Sequence, residues 1–197
     1  MSNTPTTTRH GRHAKTKGHG PTSLWLHEPK TIVAQLDLCR DIVLLDAGCG
    51  AGEYSLLAAR QLRGAGRVIA IDNIAISIEK LLSTAEEEGL TNIQGHVCDI
   101  TDSLPVASLS VDLILLSTVL HIRAVRDRAS GMFREFRRVL RPEGKVAVIE
   151  CKKEEANFGP PLHSRLSPNE VEALAAPSGL RKSSLVFFEH TYLLSLE

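Results

Sequence analysis

The stretch that most constrains this chain is residues 42–53, Ile-Val-Leu-Leu-Asp-Ala-Gly-Cys-Gly-Ala-Gly-Glu. Residues 42–45 form a short apolar run flanked by Asp41 and Asp46, the composition of a buried parallel strand. Gly48, Gly50 and Gly52 then give three places where the backbone can turn tightly or meet a ligand with no Cβ in the way. Glu53 opens a helical pattern that sets Tyr54, Leu57, Ala58 and Leu62 on one face. Strand, glycine turn and helix together make a nucleotide-cradling geometry, because a helix N-terminus offers free N–H groups.

The glycine spacing narrows the ligand. A dinucleotide fold wants its third glycine three residues after the second, where a pyrophosphate meets the helix. That position is Glu53 here, and an acid opposes a phosphate. The run Asp46-Ala47-Gly48-Cys49-Gly50-Ala51-Gly52 instead resembles the cofactor loop of class I S-adenosylmethionine-dependent methyltransferases, whose ligand brings a sulfonium and an ammonium. Two more marks follow in that family's order. One is Asp72 closing the apolar strand Arg67–Asp72, and the other is Val139-Leu140-Arg141-Pro142-Glu143-Gly144-Lys145 before a later strand.

Further along, residues 75–88 read as a helix with Ile74, Ile78, Leu81, Leu82 and Ala85 inward, a solvated Glu86-Glu87-Glu88 end and Gly89 as its stop. Residues 92–98 and Val111–Ser117 read as strands, and residues 124–140 as one long helix with Val125, Ala129, Met132, Phe133, Phe136 and Leu140 buried. Residues 141–145 read as a tight turn into a strand over 146–151. Ser167-Pro168-Asn169-Glu170 is a capping box, and residues 183–188 and 190–196 fit an antiparallel pair. Alternating strands and helices predict an α/β doubly wound three-layer sandwich with a mostly parallel sheet. The resemblance supplies seven strands in the order 3-2-1-4-5-7-6, the seventh antiparallel.

Composition sets limits on function. With 197 residues, 43% of them apolar, residues 29–197 are expected to form a single domain behind a basic tail over residues 1–28. Four Lys/Arg and no acids precede Glu28, so the remainder is mildly acidic and a nucleic-acid groove is not expected. His10, His13 and His19 fit a flexible tail better than a metal site, while Trp25, Leu26 and His27 could form a lid or cap the core. Cys39, Cys49, Cys98 and Cys151 lie far apart, with neither a CxxC pair nor a secretory pattern, which predicts reduced thiols and a cytoplasmic setting. No apolar run is long enough for a membrane span.

The resemblance implies roles for named residues. Asp46, Gly48, Gly50, Gly52, Asp72, Asn73, Asp99, Ile100 and Ser117 would bind S-adenosyl-L-methionine. In that set Asp72 accepts the ribose hydroxyls, Asp99 accepts the adenine amino group and Ile100 packs on the ring. Simple capping is the alternative for the acids, Asp72 at the helix near Ile74 and Asp99 at the turn 101–103. The reaction implied is in-line attack on the sulfonium methyl by a small-molecule acceptor, without a metal. A histidine base would help a protonated acceptor, with His121 the first candidate and His163 the second. Against these stand loop positioning for His121 and a surface contact to Glu154 or Glu155 for His163. An NAD-type oxidoreductase and a non-catalytic cofactor-binding partner protein remain as other readings, and a homodimer is allowed. The cysteine positions look like small buried hydrophobes, which disfavours arsenite as acceptor.

Overall fold

The computed structural model describes residues 29–38, 41–62 and 65–197. The expectations for the tail, for Trp25, Leu26, His27 and Cys39, and for Gly64 lie outside the described residues. Seven strands form one sheet: β1 (Val43–Ala47), β2 (Arg67–Asp72), β3 (Ile93–Val97), β4 (Val111–Ser117), β5 (Leu140–Cys151), β6 (Lys182–Phe187) and β7 (Thr191–Leu196). Their order is β3-β2-β1-β4-β5-β7-β6, with β7 antiparallel to both neighbours, as expected. Among the described residues no helix is long and apolar enough to cross a membrane.

The sheet separates two apolar layers. Helices α1 (Pro29–Val33), α2 (Glu53–Gln61) and α3 (Ala75–Glu87) cover one face with Leu44, Leu113, Leu115 and Ile149 beneath them. Helices α5 (Ala129–Val139) and α6 (Pro168–Ala175) cover the other over Leu45, Ile114, Leu116 and Val148. Alternate residues of each strand point to opposite layers, so continuous apolar strands bury both faces. Met132, Phe133 and Phe136 are wholly within the second layer, as a core stripe requires.

Four local expectations need correcting. The region 124–140 is two helices, α4 (Arg123–Asp127) and α5, interrupted at Arg128. Helix α4 buries no residue, so no apolar stripe holds it in line with α5, and the Arg128 guanidinium reaches instead to Asp102, Asp99 and the Thr101 carbonyl. Residues 141–144 are not a reverse turn but a wide bulge within β5, opposite Asp112: Val111 pairs with Leu140 and Leu113 with Lys145. Arg141 Nη1 anchors it on Asp112 at 2.5 and 2.6 Å, and Asp112 Oδ2 also accepts the Val43 N–H at 2.7 Å. A side chain at Gly144 would collide with Leu140 and two backbone carbonyls. Leu82 is 37% exposed and Ile74 half-buried, because the inward face of α3 follows Ser77, Ile78, Leu81 and Ala85. Helix α2 also buries Ser55, which turns to Asp46, and Leu56 and Ala59, which share the apolar layer with α1.

Arg138 of α5 is bound to protein, while Arg134 and Arg137 are exposed. Arg138 pairs with Glu135 at 2.6 Å and donates to the Leu104 and Val106 carbonyls, while Glu135 accepts the Leu104 N–H at 2.7 Å. They tie the connector 102–110 to the helix. The capping box of α6 is present as expected, with Ser167 and Glu170 satisfying each other's backbone. The acidic end of α3 is partly engaged: Glu88 accepts the Arg60 Nε–H at 2.7 Å.

Candidate functional site

The strand order reverses between β1 and β4, and in open α/β sheets the ligand crevice lies at the carboxyl ends of the strands beside such a switch. The glycine loop occupies that place. Gly48, Gly50 and Gly52 have φ values of 77, 54 and 84°, the left-handed region that favours glycine. At Gly52 a Cβ would press into Leu81, with its Cγ at 3.0 Å, so glycine lets α3 pack on the loop. At Gly50 nothing lies within 4 Å of a Cβ position, which leaves open space over the loop.

Most of the loop's donors are engaged within the protein. The N–H groups of Gly48 and Cys49 both donate to the Ile71 carbonyl, at 2.8 and 3.0 Å, and the Gly52 N–H donates to the Cys49 carbonyl at 2.9 Å. The Gly50 N–H donates to Asp72 Oδ2 at 2.8 Å. A pyrophosphate cradle needs such groups free to point at the ligand. The loop is therefore held shut against β2 rather than open to an anion.

Asp72, 8% exposed, also accepts the Ile74 N–H on Oδ1 at 2.9 Å. It braces both the glycine loop and the entry to α3, which is the capping role weighed against ribose binding. The capping leaves room for a further donor, because each carboxylate oxygen keeps acceptor capacity after one N–H bond. Asn73 is exposed beside it. At the end of β3, Asp99 Oδ1 accepts the Thr101 N–H and hydroxyl at 2.9 and 2.7 Å, so the turn-capping role is present here too. These hydrogen bonds, with a smaller contribution from Arg128, hold the Asp99 carboxyl below its ordinary range. Ile100 is buried and faces the Gly48 position alongside Val119. Ser117 ends β4 opposite Ile149.

Asp46 lies under the loop, where Ser55 Oγ donates to its Oδ2 at 2.6 Å. Burial pushes its carboxyl up to about 7; the Ser55 hydrogen bond opposes this, and repulsion from Asp72 and Glu53 adds to it. Three acids thus crowd one corner of the sheet, a field that favours a cationic ligand. Burial also pushes up the Cys49 thiol, and it raises Cys151 to about 11 with help from Glu150.

Beyond β4 the chain turns at Thr118, whose φ of 51° is uncommon for a β-branched residue and whose N–H donates to the Ile149 carbonyl at 2.7 Å. This turn brings His121 against Glu150 at the end of β5, with His121 Nδ1 3.5 Å from Glu150 Oε2. Sequence reasoning placed His121 at this mouth and missed Glu150; the available signal was an acid ending an otherwise apolar strand. His163 is exposed on a 3-10 turn, Leu162–Ser164. That turn lies against α4, where Arg126 Nη1 donates to the Ser164 carbonyl at 3.3 Å.

The segment 152–166, expected to be a covering loop, is built around Arg165. Its buried guanidinium donates to the carbonyls of Pro160, Lys152 and Glu154 at 2.7, 3.1 and 2.9 Å, and to that of Phe158. Phe158 packs in turn against His190, with ring centroids 4.6 Å apart and the planes tilted by 58°. Among the described residues no group of three His, Cys, Asp or Glu could hold a metal ion.

Comparison with known proteins agrees with this geometry. An arsenite methyltransferase of Halobacterium salinarum is 32% identical over 107 residues, 54% of this chain and 26% of that protein. A demethylmenaquinone methyltransferase of Lactobacillus johnsonii is 27% identical over 139 residues, 67% of this chain and 54% of that protein. The chain thus spans about a quarter and about half of the lengths of these two curated relatives. The crystal structure of an S-adenosylmethionine-dependent methyltransferase from Aquifex aeolicus superposes with a TM-score of 0.79 at 25% identity, covering 90% of this chain and 93% of that one. A family described as a methyltransferase domain matches residues 39–180, most of the chain. With the strand order, the glycine loop and Asp72 in agreement, the chain belongs to the methyltransferase domain family.

Proposed function

We propose that this chain binds S-adenosyl-L-methionine at the carboxyl ends of β1 to β4 and methylates a small-molecule acceptor without a metal. The observation that carries the reading is the glycine loop: its N–H groups are engaged by Ile71 and Asp72, while Glu53 and Asp72 lie beside it and Asp46 beneath it gives up its proton to a cation. Open space over Gly50 leaves room for the cofactor, and Asp72 keeps acceptor capacity for two ribose hydroxyls. Asp99, Ile100, Asn73 and Ser117 would complete the site, with Asp99 Oδ2 turned toward Arg128 until an adenine amino group competes for it.

The cofactor supplies an activated methyl on a good leaving group. The protein's task is then alignment and removal of water. Thr118 turns the chain so that His121 stands at the mouth, where it takes a proton from the acceptor. His163 and the Arg165-braced segment stand on the outer side, and exposed Ile122 and Leu162 offer an apolar part of the acceptor something to rest on. Buried Cys49 and Cys151, with thiols held protonated, support an acceptor other than a thiol-seeking metalloid. The free state of Cys49, Cys98 and Cys151 supports a cytoplasmic setting.

Calorimetric titration with S-adenosylmethionine and with NAD tests this. Micromolar binding of the first and none of the second is expected, with binding lost in Asp72→Ala. Binding of NAD alone, or of neither, refutes the proposal. Cofactor binding with no methyl transfer across an acceptor screen would favour the partner-protein reading.

A further inference from the structure

We propose that Glu150 is a positioning residue that fixes His121 as the Nδ1–H tautomer and leaves Nε2 as the proton-accepting atom, an inference that rests on the methyl-transfer reading. Glu150 is 1% exposed and anchored, its Oε1 accepting the Leu120 N–H at 2.7 Å. Its other oxygen, Oε2, is buried with no hydrogen-bond partner among the described residues, and so is His121 Nδ1. These two orphaned atoms face each other at 3.5 Å. Buried polar atoms are costly when unpaired, and a carboxylate only accepts, so the pair is satisfied in one way: a proton on Nδ1 pointing at Oε2. A slight rotation of the imidazole closes the gap.

The same carboxylate thereby holds the backbone of residue 120 and the ring of residue 121. The His121 side chain is 26% exposed although Nδ1 is buried, so the exposure belongs to the rest of the ring. In the neutral Nδ1–H form, Nε2 carries the lone pair. The acceptor's lone pair forms the new bond to the methyl carbon as the C–S electron pair passes to sulfur. The acceptor's proton goes to Nε2, and the resulting imidazolium, stabilised by Glu150, returns it to solvent.

Glu150→Gln separates positioning from packing. The Leu120 N–H needs an acceptor, so the amide oxygen stays there and the NH2 group turns toward His121. Nδ1 must then accept, which moves the ring proton to Nε2 and abolishes the base. Long-range proton–nitrogen correlation spectra at about pH 9, where histidine is neutral, read the tautomer directly; His121→Asn assigns the signal. The expected result is Nδ1–H in the native chain and Nε2–H in Glu150→Gln, with unchanged affinity for S-adenosylhomocysteine. Once an acceptor is known, Glu150→Gln should lower kcat by about 10²–10⁴-fold with the cofactor KM unchanged. An Nε2–H ring in the native chain, or no change of tautomer in the variant, overturns the proposal. If the variant does not fold, the native spectrum alone decides. Failure of the native chain to bind S-adenosylhomocysteine would remove the methyl-transfer reading and leave the tautomer result to judge the pair.

Discussion

Asp46 offers a quantitative check on the electrostatics of the glycine loop. Its carboxyl goes from the ordinary 3.8 in the unfolded chain to about 7 in the folded one, chiefly through burial. Between those values the folded state holds a proton that the unfolded state has lost. Stability from this group is complete below the unfolded value and falls by about 1.4 kcal/mol per pH unit as pH rises to about 7. The whole window amounts to about 4 kcal/mol, and the curve is flat beyond it. Asp46→Asn keeps an acceptor for the Ser55 hydroxyl and removes the titration. Urea unfolding of both proteins across a pH series reads the difference. Other titrating groups cancel, and the variant should gain on the native chain by about 2–3 kcal/mol between about pH 5 and 8. A bound cation would pull the Asp46 proton off, so S-adenosylmethionine affinity in the native chain should rise with pH toward neutrality, and Asp46→Asn should lose that dependence. Parallel stability curves for the two proteins would refute the argument, because Asp46 would then ionise as an ordinary surface acid.

Other outcomes follow from the packing. Gly52→Ala combines a left-handed backbone with a collision at Leu81 and should cost about 2–4 kcal/mol in urea unfolding. Gly50→Ala meets only the backbone strain, about 1–2 kcal/mol, but fills the open space over the loop and should weaken S-adenosylmethionine binding in calorimetry by at least about tenfold. Arg165→Ala strips the donors from the carbonyls of Lys152, Glu154, Phe158 and Pro160. Amides of residues 152–165 should then exchange with solvent faster by at least about tenfold while those of β1 and β4 keep their protection.

The strands and helices were legible because the buried strands carry unbroken apolar runs and the intervening segments carry helical periods, while the order of the strands in the sheet came from the family resemblance. The capping box at Ser167 and the acid at Asp72 were legible for a similar reason, since each acts on backbone close by in sequence. What escaped reading depends on meetings between distant residues. Arg165 looks like a solvent-facing charge in a polar stretch, and only the folded loop brings carbonyls around it. Glu150 reads as an acid near the end of a strand until the turn at Thr118 delivers His121 to it. The bulge at residues 141–144 reads as a turn because proline and glycine punctuate both; the deciding contact, Arg141 on Asp112, joins two strands. The break at Arg128 likewise answers to Asp99 and Asp102 across the crevice.

The two apolar layers on either side of the sheet also bear on how such a chain can diversify. The layer under α1, α2 and α3 backs the start of α2 and the Leu81 contact that shape the glycine loop. The opposite layer carries α5, α6, Leu120 and Leu166, and so supports the His121 turn and the Arg165-braced segment. Substitutions on opposite faces of the sheet that share no neighbours act nearly independently. The sheet is in that sense a partition between inheritance and invention: side chains around the His121 turn and Arg165 can drift while the Leu81 side of the glycine loop stays as it is, and Ile100 and Val119, which pack on Gly48, tie the two histories together.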